Sequence, residues 1–149
     1  MTYKIPVSVL VLVYTMRLDV LLLERADRPG FWQSVTGSQE PGETLMQTAF
    51  RELREETGLV AAPGTVEDWQ LKNEYEIFAR WRGRYAPGVT HNTEHVFAYA
   101  LAERVPVCLS PREHLQYAWV PWEEAAARVF SWSNAAVIRA LPDRAGGLG

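Results

Sequence analysis

Residues 37–59 read GSQEPGETLMQTAFRELREETGL, and the rest of the chain is arranged around this stretch. Pro41-Gly42 is turn chemistry. Thr44, followed three residues on by Gln47, forms a capping box and predicts a helix that starts at Thr44. Gly58 suits the left-handed position past a helix end, so the helix should stop there. Between the caps, Met46, Ala49, Phe50, Leu53 and Thr57 recur at three- and four-residue intervals and make a buried stripe. Glu52, Glu55 and Glu56 fall at i, i+3 and i+4 and share an adjacent, acidic face.

Like charges on one helical face repel unless something positive sits among them. Arg51 and Arg54 can supply part of that. A hard divalent cation supplies more, since Mg²⁺ favours a few carboxylate oxygens together with waters and phosphates. A solvated acidic face laced with Arg–Glu pairs is the plainer alternative. Gly37 and Glu43, at fixed distances upstream, complete a joint pattern that resembles the signature of Nudix hydrolases. These cleave nucleoside diphosphates linked to another moiety.

The resemblance implies an α/β fold, an α/β/α sandwich with a mixed β-sheet, and a metal-dependent pyrophosphohydrolase. It makes Glu52 and Glu56 ligands of Mg²⁺, with Mn²⁺ as the other candidate ion, and gives Glu55 an assisting part. Glu56 is expected on the solvent side of the cluster. Arg51 is expected to pair with Glu43 in a structural role. Gly37 is expected to let the chain turn tightly beside the metal and to offer its carbonyl.

The composition fits an ordinary globular chain. At 149 residues, 48% apolar and 22% charged, a single domain over 1–149 is expected, long enough for a substantial core. A net charge of −3 argues against a surface that coats nucleic acid. A polyphosphate must then be met by local cations and metal. Cys108, the only cysteine, is expected to be a small buried apolar residue. Val7–Tyr14 follows Pro6, is too short for a membrane span and lacks a cleavage site, so a cytoplasmic location is expected. No obligate protein partner is evident.

Working outward, Val7–Tyr14 and Leu18–Leu23 are continuous apolar runs that suit strands buried on both faces, joined as a hairpin. Gly30–Thr36 should be a short strand delivering the chain to Gly37. Val66–Tyr85 reads as strand, Ala86-Pro87-Gly88 as a turn, and Glu94–Leu101 as the returning strand. Pro106–Leu109 is expected as an edge strand and Gln116–Val120 as another. Pro121 can open a helix over Trp122–Val129. Ser131 or Ser133 can cap a last helix, Asn134–Leu141, with Pro142 stopping it and a frayed tail beyond.

A narrower resemblance runs through PVSVLVLVY, FWQSVTGS, EYEIF, RYAPGV, NTEHVF, EHLQYAW and SWSN, in that order, to about Leu141. Together they are similar to the Nudix hydrolases that remove pyrophosphate from dihydroneopterin triphosphate in bacterial folate biosynthesis. A broader (deoxy)nucleoside triphosphate pyrophosphohydrolase, acting for instance on dATP, is the alternative. A non-catalytic Nudix-fold binding module is a third reading, and the intact carboxylates Glu52, Glu55 and Glu56 weigh against it. The resemblance makes Glu113 a distal carboxylate that completes the metal site and can activate water; by residue type alone it is an exposed loop glutamate. Lys4 and Arg25 match triphosphate-contacting positions, or else carry ordinary surface charge. Thr36 and Ser131 match substrate-contacting hydroxyls, or serve loops and caps. Tyr75, Glu76, Ile77 and Phe78 match a stretch lining the substrate, where an aromatic ring can stack on a pterin. Tyr75 stands where this group is expected to have Phe.

Overall fold

A computed structural model describes residues 2–146. Its spine is β1 (Val7–Thr15), which is buried on both faces. Successive side chains of a strand point to opposite sides, so β1 feeds two cores at once. Val9, Val11 and Val13 enter one cluster; Leu10, Leu12 and Tyr14 enter the other. β2 (Asp19–Arg25) does the same with Leu21 and Leu23 on one side and Val20 and Leu22 on the other.

The remaining strands are β3 (Trp32–Gln33), β4 (Val35–Ser38), β5 (Val66–Glu76), β6 (His91–Leu101) and β7 (His114–Pro121). They form one sheet in the order β3-β2-β1-β6-β5, with β4 pairing β1 and β7 pairing β2. β1 and β6 run parallel, from Val7 opposite Thr93 to Thr15 opposite Leu101. The other strand pairs are antiparallel. α1 (Leu45–Thr57) covers the Val9/Val11 side, while α2 (Trp122–Arg128) and α3 (Trp132–Gly146) cover the Leu10/Leu12 side. The result is the expected α/β/α sandwich around a mixed sheet.

α1 has both expected ends. Thr44 Oγ1 accepts from Gln47 N at 3.1 Å, and Gln47 Oε1 accepts from Thr44 N at 2.9 Å. Gly58, at φ 74°, donates its N–H to Arg54 O. Removing the cap hydroxyl with Thr44→Ala is expected to cost about 1 kcal/mol in urea unfolding, with turnover unchanged.

Five expectations need correction. β5 ends at Glu76, and Ala79–Arg84 is a short 3-10 helix rather than strand. Its turn is fixed by Arg82, whose Nε donates to Ile77 O and whose Nη2 meets Glu76. Pro106–Leu109 is irregular, because Pro106 has no N–H for a ladder and the segment's only bond of this kind runs from Cys108 N to Thr57 O. Cys108 itself is exposed. α3 begins at Trp132, with Ser131 as its cap (Asn134 N donates to Ser131 Oγ, 3.1 Å). It also passes through Pro142 to Gly146. The proline removes one intrahelical bond, but Arg144 lies over the Trp69 ring and donates to Trp69 O, and Ala145 packs on the core. The rest of the expected frayed tail lies outside the described residues. Among the described residues no helix is long and apolar enough to cross a membrane.

Candidate active site

Where β4 ends and α1 begins, the two elements are in contact. Gly37 pairs with Val9, which directs its α-carbon toward α1. A β-carbon built there falls 2.1 Å from Glu52 Cδ. Gly37 is therefore demanded by space. It lies within a strand and is not among the glycines with positive φ, so the expected tight turn is not its role.

Arg51 organises the start of the acidic face. Its Nε and Nη2 grip the two Glu43 oxygens at 2.6 and 3.0 Å, the pairing that the family resemblance implies. Its Nη1 meets Glu52 at 2.7 Å and Glu55 at 3.3 Å, and Nη2 also donates to Ser38 O. The fork-shaped guanidinium suits such bidentate bonding. Its hydrogen bonds hold the Glu43 carboxyl down at about 2.

Glu56 departs from expectation. It is only 2% exposed, and neither carboxylate oxygen has a hydrogen-bond donor. Burial pushes its carboxyl well above the ordinary range, and the neighbouring Glu52 and then Glu113 reinforce the shift. Burial also raises Glu52. His114 Nε2 lies 3.6 Å from Glu56 Oε1, but burial, with Arg25 adding to it, drops the imidazole to about 4. At neutral pH the histidine is uncharged and does not pair with the carboxylate.

Every residue expected in the site lines one cleft of about 910 Å³: Lys4, Arg25, Thr36, Glu52, Glu55, Glu56, Tyr75, Glu76, Ile77, Phe78, Glu113 and Ser131. Their states differ. Glu55 is half open to solvent, and Glu113 is exposed but acts electrostatically on both Glu56 and Lys4. Lys4 has its ammonium lowered by desolvation and then by Arg84. Arg25 is clamped: Nε and Nη2 each meet Asp27 at 2.8 Å, Nη1 meets Gln33 at 3.0 Å, and the guanidinium lies 4.4 Å over Trp81. Thr36 spends its hydroxyl proton on Val9 O, Ser131 caps α3, and Glu76 is tied to Arg82. Tyr75 Oη accepts from Asn92 Nδ2 at 3.0 Å.

The donor set fits a hard divalent cation. Both buried oxygens of Glu56 lack any donor, and the missing side chain at Gly37 gives the neighbouring Glu52 carboxylate its place. Among the described residues, however, the expected trio of Glu52, Glu56 and Glu113 does not converge as a ready-made cage. One Glu52 oxygen is taken by Arg51 instead.

The lining also includes residues that were not anticipated, among them Asp27, Trp81, Glu94 and His114. Glu94 had a readable signal. It belongs to the period-two series Asn92, Glu94, Val96, Ala98, whose members are all buried.

The family model of the NUDIX domain matches residues 4–141. Dihydroneopterin triphosphate diphosphatase of Escherichia coli (strain K12) is 49% identical over 139 residues, covering 91% of this chain and 91% of that protein. The enzyme of the same name from Haemophilus influenzae is 42% identical over 142 residues, covering 93% and 89%. The solved structure of the E. coli dihydroneopterin triphosphate pyrophosphohydrolase superposes with a TM-score of 0.87 at 47% identity, covering 93% of this chain and 95% of that one.

Proposed function

This chain belongs to the Nudix family of hydrolases, and on that premise we propose that it hydrolyses dihydroneopterin triphosphate. The products are pyrophosphate and dihydroneopterin monophosphate, in the cytoplasm and on the route to folate. The observation that carries this reading is the identity of 49% over 91% of both chains.

The cleft has the parts that such a reaction needs. Phosphoanhydride hydrolysis is chiefly positioning and charge neutralisation around an in-line displacement by water. Glu52, Glu56 and Glu113 would hold the metal, with Glu55 at its margin. A bound divalent ion, Mg²⁺ in our reading, supplies neutralising charge on the phosphate oxygens. Lys4 and the clamped Arg25 bind the triphosphate, Arg25 through the N–H groups that Asp27 and Gln33 leave unused. Glu113, exposed at the cleft and close enough to influence Glu56, orients water and takes its proton. Water supplies the new oxygen, and the α–β anhydride bond breaks as pyrophosphate leaves. Phe78, 43% exposed, offers a ring for stacking.

The test is pyrophosphate release, with and without Mg²⁺, from dihydroneopterin triphosphate beside dATP, dGTP and dCTP. The expected result is Mg²⁺-dependent release with kcat/KM for the pterin at least roughly tenfold above each dNTP. Equal rates across the panel would make the chain a general triphosphate pyrophosphohydrolase. Glu113→Ala is expected to lower kcat by about 10²-fold with the fold intact, the usual scale for losing a general base. An unaffected rate would reduce Glu113 to a loop residue.

A further inference from the structure

The cleft has a chemically mixed lining. Lys4 lies within the influence of Arg84, Glu52, Arg25 and Glu113, a mixture suited to phosphates and their counter-ion. Glu94 lines the same cleft from β6, between Ser8 of β1 and Asn73 of β5. Glu94 is 4% exposed, yet it lines the cleft, and its Oε1 is buried without a hydrogen-bond partner. Burial pushes its carboxyl up to about 7, opposed by the Ser133 hydroxyl. Tyr75 is close enough for the Glu94 charge to add to the burial that raises its phenol. No salt bridge involving Glu94 occurs among the described residues.

A buried acceptor left without a donor costs free energy unless a ligand supplies one. A phosphate cannot do so, because it carries only acceptors and like charge. A flat ring that carries N–H donors suits this lining, since Phe78, Trp81 and Phe130 line the same cleft with ring centroids 5.2 to 6.0 Å apart. We infer that Glu94 is the specificity-determining residue of the cleft, accepting the two adjacent N–H donors of a 2-amino-4-oxopyrimidine edge. A pterin and guanine both present that edge. Adenine presents a donor beside an acceptor and leaves one carboxylate oxygen facing a lone pair. This deepens the proposed function and rests on it for the choice of pterin over guanine.

The experiment measures kcat/KM with Mg²⁺ for wild type and Glu94→Gln on dihydroneopterin triphosphate, dGTP and dATP. The amide keeps one acceptor and adds a donor, which matches the adenine edge. The expected result is a loss of about 10²-fold or more on the pterin and on dGTP, with dATP unchanged or improved. An equal loss on all three substrates, or no loss, overturns the assignment. If Glu94→Gln does not fold, Glu94→Asp keeps both acceptors and must retain the order of pterin and dGTP over dATP; loss of that order overturns it equally. The two readings fail separately. Glu94-dependent turnover of dGTP with none of the pterin would remove the pterin and keep Glu94. Pterin turnover that survives Glu94→Gln would do the reverse.

Discussion

Glu56→Gln is expected to lower kcat by roughly 10³-fold, the scale of losing a preorganised charge from a reaction centre. The same variant should melt higher than wild type at pH 8 in metal-free buffer. Both effects have one cause. The Glu56 carboxylate is 2% exposed and has no donor on either oxygen, so the fold bears the cost of desolvating it, which a proton or a bound cation recovers. Gln is nearly isosteric and carries no charge. The sign follows from the raised carboxyl: the folded state binds this proton more tightly than the unfolded chain does. Wild-type stability is therefore greatest below the ordinary carboxylate pKa and falls as pH rises above it. The advantage of Glu56→Gln should grow with pH and vanish near pH 4. The variant should also lose most of the rise in Tm that wild type gains from added Mg²⁺. A variant with normal turnover, or one less stable than wild type at pH 8, would take Glu56 out of the proposed metal set.

Arg51→Gln is the second large effect. It should destabilise the protein by about 3 kcal/mol, the lower end of the range for breaking a buried pair, because the partners retain some solvent access. Glu43 and Glu52 both lose a bond of 2.6 to 2.7 Å, and their side chains are only 17% and 12% exposed. Glu43 reports the pH dependence. Its folded carboxyl is held near 2, so the stabilisation is present above the ordinary carboxylate pKa and is lost as pH falls toward 2. The gap between wild type and variant in urea unfolding should be full at pH 6 and shrink between pH 5 and pH 2. A gap that persists unchanged at pH 2 would show that Arg51 acts through packing alone.

Much of this architecture is readable in the chain because local signals and tertiary structure agree there. Thr44, Gln47 and Gly58 specify the ends of α1 through bonds within a few residues, and the structure makes those bonds. The apolar runs of β1 and β2 leave only the doubly covered centre of a sheet as their place. Reading failed where distant segments decide. Pro142 ends a helix by local rules, yet Trp69 on another strand holds the last turn of α3 in place. Glu56 looks like a surface carboxylate by its spacing, yet His114 of β7 lies against it. Glu94 hid because a charged residue on a strand face is ordinarily taken as solvated. Its neighbours Val96 and Ala98, on the same face, belong to the core.

The parallel pairing of β1 with β6 also has a consequence for how the chain is made. Residues 7–15 find their parallel partner only at residues 93–101, and β2 finds β7 only at residues 114–121. These two apolar segments leave the ribosome well before β6 and β7 do. Contacts this distant in sequence form slowly, because loop-closure entropy precedes their reward. During synthesis the early β1–β2 hairpin exposes its valines and leucines on both faces, the condition in which nascent strands stick to one another. The same residues that make the centre of the sheet dry make the newborn chain prone to association.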